Sequence, residues 1–120
     1  MRVAAFIPAK LESRRLPRKN LTDFAGHPLV WWAASIATEG VAIGLFDSIT
    51  VSTDSAAIWN AVNNLPRIGV DYRPETLRAE SVRVIDLLRE WLPRQKERPD
   101  AVCVLWPTSP LRTLRHLVES

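Results

Sequence analysis

Apolar residues recur along this chain in two alternating rhythms. Short runs dense in aliphatic and β-branched residues, at 3–8, 46–54, 68–73 and 101–106, have the length and composition of buried strands. Between them apolar positions return at helical spacing. Leu29 to Ala37 predicts a helix with Pro28 in its first turn and Gly40 as its stop, and residues 56–63 predict a second, capped by Ser55 or Asp54. Val82, Ile85, Leu88 and Leu92 share one face of a helix over 82–92 that Pro93 ends, and a further helix is predicted over 113–120. Pro8, Pro74 and Pro107 close three of the strands, because proline has no N–H for the ladder. Gly26-His27-Pro28 reads as a turn, and 93–100 as a solvated connection. Strand and helix alternate throughout, which is the pattern of βαβ units: an α/β fold with a mostly parallel sheet covered on both faces. Ligands in such sheets sit beyond the carboxyl ends of the strands, so the polar residues following each strand are expected to converge on one edge.

Length and composition narrow this picture. At 120 residues, 47% hydrophobic and 24% charged, the chain suits one folded domain. No apolar run approaches the roughly 18 residues of a membrane span, and the apolar start meets Pro8 and Lys10 too soon for a signal peptide, so a cytoplasmic protein without membrane attachment is expected. A single cysteine, Cys103, excludes an internal disulfide and a cysteine metal cluster, and its place in an apolar strand makes it a small core residue.

Charge is more informative. Residues 10–19 hold Lys10, Arg14, Arg15, Arg18 and Lys19 against Glu12, a net +4; since the whole chain is +3, the remainder is −1. Positive charge concentrated in one loop suits a compact anion rather than a long polyanion, which disfavours nucleic acid. A cationic loop after a strand, punctuated by Pro17, is able to wrap a triphosphate, lysine and arginine neutralising its charge while Ser13 and backbone N–H groups donate to it. Catalysis in phosphoryl and nucleotidyl transfer is largely positioning and charge cancellation, and a fixed cationic loop supplies both. The glycines of a Walker A loop are missing. A solvated basic loop and a nucleic-acid patch remain the alternatives at this point.

Five motifs in order then resemble the acylneuraminate cytidylyltransferases, the family of CMP-N-acetylneuraminic acid synthetase. They are Ile7-Pro8-Ala9-Lys10 with Ser13-Arg14, Leu16-Pro17 and Lys19-Asn20; Phe24-Ala25-Gly26-His27-Pro28-Leu29; Phe46 to Asp54, ending Val51-Ser52-Thr53-Asp54; Arg73-Pro74-Glu75-Thr76-Leu77; and Leu105 to Arg112, containing Pro107-Thr108-Ser109-Pro110-Leu111-Arg112. The resemblance implies a Rossmann-like three-layer nucleotidyltransferase fold, of which this chain is the N-terminal, nucleotide-binding half, with the C-terminal half absent. It also implies a reaction that joins a sialic-acid-like sugar acid to the α-phosphate of CTP and expels pyrophosphate, aided by Mg²⁺ whose aspartate ligands belong to the second half. Lys10 and Lys19 are the implied catalytic cations. Ala9, Lys10, Ser13, Arg14, Lys19, Asn20, Arg73 and Ser81 are the implied nucleotide contacts, Arg73 at the base and ribose end. Trp106, Pro107, Thr108, Ser109 and Arg112 are the implied sugar contacts. A homodimer is implied as well.

The sequence departs from the family pattern at several points. Lys10 stands in place of an arginine, Leu11 and Glu12 in place of small or polar residues, Glu80 to Val84 in place of a hydroxyl-rich stretch, and Trp106 in place of a glutamine. A second reading from another class is therefore a catalytically inactive truncated or degenerate homologue that binds nucleotide or a partner chain; a basic nucleic-acid-binding module comes third. Among other residues, His27 is expected as an exposed turn residue and His116 as a helix residue. Asp54 is expected as a helix cap or a metal ligand. Trp31, Trp32, Trp59 and Trp91 are expected in the core or an interface.

Overall fold

The computed structural model describes residues 1–11, 18–79 and 81–107. Strand β1 (Val3–Pro8) is followed by a two-residue ribbon of β2 (Asp23–Phe24) and β3 (His27–Pro28). Then come helix α1 (Leu29–Ala42), β4 (Ser48–Thr53), α2 (Ala56–Val62), β5 (Ile68–Tyr72), α3 (Val84–Trp91) and β6 (Ala101–Val104). The four longer strands form one sheet in the order β5-β4-β1-β6, with every pairing parallel. The predicted α/β architecture is therefore present. The predicted helix over 113–120 lies outside the described residues.

Alternation along β1 divides the interior into two layers. Ala5 and Ile7 point to one face, where they pack with Ile49 and Val51 of β4, Val30, Ala33, Ala34 and Ala37 of α1, and Ile58 and Val62 of α2. Ala4 and Phe6 point to the other, where they meet Leu87 and Trp91 of α3, the Phe6 and Trp91 rings lying 5.2 Å apart between centroids. Two aspartates fix the amino end of the sheet. Asp47 accepts from the Val3 N–H and Asp100 from the Arg2 N–H, each at 2.7 Å, so the strands on both sides of β1 are tied to its first residues. Because the chain moves outward from β1 through β4 to β5 and then returns to β6 on the opposite side, the strand order reverses between β1 and β6. A crevice opens at such a point, beyond the carboxyl ends of the strands.

Several local expectations are revised. Gly40 does not stop α1; it lies inside the helix, buried, with the Phe46 side chain where a Cβ would stand. The chain turns at Gly44, whose φ of 81° suits a residue without a side chain. The turn before α1 is tighter than a Gly-His-Pro bend: Ala25 and Gly26, with φ of 49° and 92°, join β2 to β3 as a two-residue hairpin. His27 is not exposed but half-buried, its ring stacked on Trp31 at 3.6 Å. Asp54 does not cap α2. Ser55 does, its hydroxyl accepting from the Ala57 N–H at 3.1 Å. Trp91 is a core residue as expected, Trp59 packs against the first layer, and Trp31 and Trp32 are half-buried beside the hairpin.

Candidate functional site

The segments that leave β1, β4, β5 and β6 lie at the carboxyl edge of the sheet, and the end of β4 joins those that leave β1 and β5. Ser52 and Thr53 are buried on this inner strand. The Ser52 carbonyl accepts two donors: the Ala9 N–H at 2.8 Å and Nη2 of Arg73 at 3.4 Å. Its hydroxyl accepts from Nε of Arg73 at 3.3 Å. The Thr53 carbonyl accepts from the Arg73 N–H at 2.8 Å, and Oδ1 of Asp54 accepts from the Leu11 N–H at 2.9 Å. Three consecutive residues thus bind both the start of the basic loop and the arginine that follows β5.

That loop is closed at its neck. The Arg18 N–H donates to the Leu11 carbonyl at 2.9 Å, and Nδ2 of Asn20 donates to the Lys10 carbonyl at 2.6 Å. Asn20 is 3% exposed, and its Oδ1 is buried without a hydrogen-bond partner among the described residues. An acceptor left in that condition costs on the order of 1–3 kcal/mol unless a donor reaches it. Leu11 and Leu21 pack against the first core layer and anchor both ends of the loop. The leucine at position 11, read from sequence as a departure from pattern, therefore acts as a hydrophobic foot for the cationic segment. Lys10 and Lys19 flank this neck, both half-buried, and among the described residues neither forms an ion pair.

Arg73 is 7% exposed, unusual for an arginine, and its guanidinium is held by a hydroxyl and a carbonyl rather than by a carboxylate. Burial pushes its pKa down from the usual value, and the negative charge of Asp54 acts in the opposite direction. A further arginine, Arg78, donates to the Arg73 carbonyl at 3.0 Å and steadies the turn after β5. Trp106, just past β6, is 48% exposed between buried Leu105 and buried Pro107, with the Leu105 N–H bonded to the Phe6 carbonyl at 2.9 Å. It stands on the β6 side of the switch point, across from the loop that leaves β1.

Of the sequence-predicted site residues, Ala9, Lys10, Lys19, Asn20, Arg73, Trp106 and Pro107 follow strands or close the basic loop at this edge. Ser81 is an exposed residue ahead of α3. Ser13, Arg14, Thr108, Ser109 and Arg112 lie outside the described residues. Sequence reasoning passed over Ser52 and Thr53, and it assigned Asp54 to capping or metal binding. The signal for their positions was available in Val51-Ser52-Thr53-Asp54, where a strand turns polar at its carboxyl end. Their partners were not, because those are 21 and 43 residues away.

Comparison with known proteins identifies the family and the fold. The family model described as Cytidylyltransferase matches residues 4–118. A pseudaminic acid cytidylyltransferase of Campylobacter jejuni is 32% identical over 114 residues, which are 92% of this chain and 48% of that protein. The CMP-N,N'-diacetyllegionaminic acid synthase of Legionella pneumophila is 34% identical over 125 residues, covering 99% and 53%. An N-acylneuraminate cytidylyltransferase of Streptococcus agalactiae is 32% identical over 122 residues, covering 100% and 28%. Among solved structures, a CMP:2-keto-3-deoxy-manno-octonic acid synthetase complexed with CTP shares the fold at a TM-score of 0.70 and 19% identity, over 98% of this chain and 44% of that one. The chain thus spans about half the length of the first two relatives and less of the third. The ordered motifs, the sheet with its reversal point and the match along nearly the whole chain lead to one assignment: the chain belongs to the cytidylyltransferase family.

Proposed function

We propose that this chain binds CTP at the carboxyl edge of its sheet and forms the nucleotide half of an enzyme that makes a CMP-linked sugar acid. The observation that carries the reading is a set of three cations, Lys10, Lys19 and Arg73, that follow β1 and β5 without a hydrogen-bonded carboxylate among the described residues. Cations brought to one edge without anionic partners favour an anion there. In this reading Lys10 and Lys19, with Ser13 and Arg14 of the same loop, take the phosphates. Asn20 fixes the loop neck beneath the phosphates through its bond to the Lys10 carbonyl. Arg73 and Ser81 serve the base and ribose end, and Trp106 to Arg112 separate nucleotide from sugar.

The transfer joins the anomeric hydroxyl oxygen of the sugar acid to the α-phosphorus of CTP. The bond from that phosphorus to the bridging oxygen of the β-phosphate breaks, the hydroxyl gives up its proton, and pyrophosphate leaves. Negative charge moves toward the pyrophosphate as it departs, and the lysines on the loop neck stabilise it there. The family resemblance implies Mg²⁺. Among the described residues no three His, Cys, Asp or Glu side chains stand together as a metal site, and one oxygen of Asp54 is already occupied by Leu11. The described residues therefore do not fit the ion by themselves.

A sugar acid of the sialic type is the acceptor suggested by the names of the relatives. A cytoplasmic setting suits a reaction that consumes CTP, and no described helix is long and apolar enough to cross a membrane. A homodimer belongs to the same proposal. Calorimetric titration with CTP, the other nucleoside triphosphates and a short oligonucleotide tests the binding step. Saturable binding of CTP, with none of the oligonucleotide, is expected; absence of CTP binding overturns the reading. Pyrophosphate release on adding a sialic-type sugar acid then tests turnover.

A further inference from the structure

The Asp54 carboxylate presents a puzzle at this edge. It does not cap α2, since Ser55 does, and among the described residues it forms no salt bridge. It stands where a polyanion is proposed to bind, so its charge opposes the ligand. A neutral asparagine would avoid that repulsion and still accept a hydrogen bond. Its position accounts for the carboxylate. Oδ1 accepts from the Leu11 N–H at 2.9 Å, across 43 residues, and its charge also bears on the buried guanidinium of Arg73. The two residues before it hold Ala9 and Arg73 through the Ser52 carbonyl, and the backbone of Arg73 through the Thr53 carbonyl.

We propose that Asp54 is a positioning residue of the nucleotide site. Its carboxylate fixes the first turn of the cationic loop relative to Arg73, so that Lys10 is held in register with Arg73 before ligand arrives. This rests on the proposed CTP site and adds to it a residue that touches no ligand. A charge-assisted hydrogen bond to a backbone N–H is stronger and shorter than a neutral one, which is the property needed to hold a loop already under mutual repulsion of its own cations. Preorganisation of this kind raises affinity by removing an ordering cost from the binding step.

The test compares wild type, Asp54→Ala and Asp54→Asn by calorimetry with CTP, by the amide resonances of Ala9 and Leu11, and by thermal melting on the same samples. Asp54→Ala is expected to weaken CTP binding roughly tenfold, in line with loss of one charge-assisted hydrogen bond, and to move the Leu11 amide upfield. Asp54→Asn keeps an acceptor but not the charge and is expected to recover only part of the affinity, since the bond to the Leu11 N–H loses its charge assistance; full wild-type affinity in Asp54→Asn overturns the role given to the carboxylate. A merely structural role predicts instead that affinity falls only in step with melting temperature in both variants. That result overturns the proposal, as does wild-type affinity in Asp54→Ala. Failure of the wild type to bind CTP at all overturns the proposed function itself, and this inference with it.

Discussion

Replacing Gly40 by alanine is expected to destabilise the fold, against the usual direction for a glycine inside a helix. The exchange normally gains about 1 kcal/mol through helix propensity. Here a Cβ built on Gly40 lies 2.5 Å from Cδ2 and 2.6 Å from Cε2 of Phe46, about 1 Å inside ordinary carbon–carbon contact. The Phe46 ring has little room to retreat. It is 3% exposed, and the Gly40 carbonyl accepts the Leu45 N–H at 2.8 Å and the Phe46 N–H at 3.3 Å, folding the turn back onto the helix. Overpacking of this kind costs about 1–3 kcal/mol, so after the propensity gain the net loss reaches up to about 2 kcal/mol, a fall in melting temperature of up to about 8 °C for a domain of this size. Urea denaturation of Gly40→Ala, Phe46→Ala and the double variant isolates the clash. In the Phe46→Ala background the alanine at position 40 should become neutral or stabilising. A Gly40→Ala protein more stable than wild type refutes the packing argument.

Lys19→Ala should weaken CTP binding by roughly tenfold or more, the loss of one charged phosphate contact, and unchanged affinity by calorimetry would remove Lys19 from the site. Ser55→Ala should cost about 1 kcal/mol through the lost cap on α2, seen as a lower urea midpoint, whereas Asp54→Ala leaves that cap intact. Asp86 gives the stability an acid dependence. The Arg83 N–H donates to its carboxylate at 2.9 Å and, first among several causes, holds its pKa below the ordinary value. The stabilisation is then present above the usual carboxylate range and is lost as pH falls through the lowered folded value. Asp86→Asn should flatten the acid limb of urea midpoint against pH, and an unchanged limb would assign that slope to other groups.

The fold was legible because its signals are local. Four apolar runs separated by helical spacing define the βαβ alternation, and Pro8, Pro74 and Pro107 mark where strands stop. The carboxyl-edge location of the candidate site is an expectation from that alternation alone. Gly40 was misread because a glycine near a helix end has the same local signature whether it terminates the helix or admits an aromatic ring, and only Phe46, brought back by the turn at Gly44, decides between them. Asp54 and Ser55 offered two caps of similar quality. The choice was made by Leu11, remote in sequence, which takes the carboxylate and leaves the hydroxyl to the helix. His27 was misplaced for a similar reason, since a ring in a turn is exposed only if no neighbour covers it, and Trp31 stacks on this one.

The two packed layers are unequal in a way that bears on how the molecule yields. Among the described residues a single eight-residue helix lies behind Ala4 and Phe6, contributing two buried side chains, Leu87 and Trp91, whereas the opposite layer rests on two helices. Partial unfolding begins where the fewest apolar groups must separate. Amides of α3 should therefore exchange with deuterium ahead of those in α1, and this excursion would release the span between Arg73 and Trp106 while Leu11 and Leu21, seated on the thicker layer, stay in place.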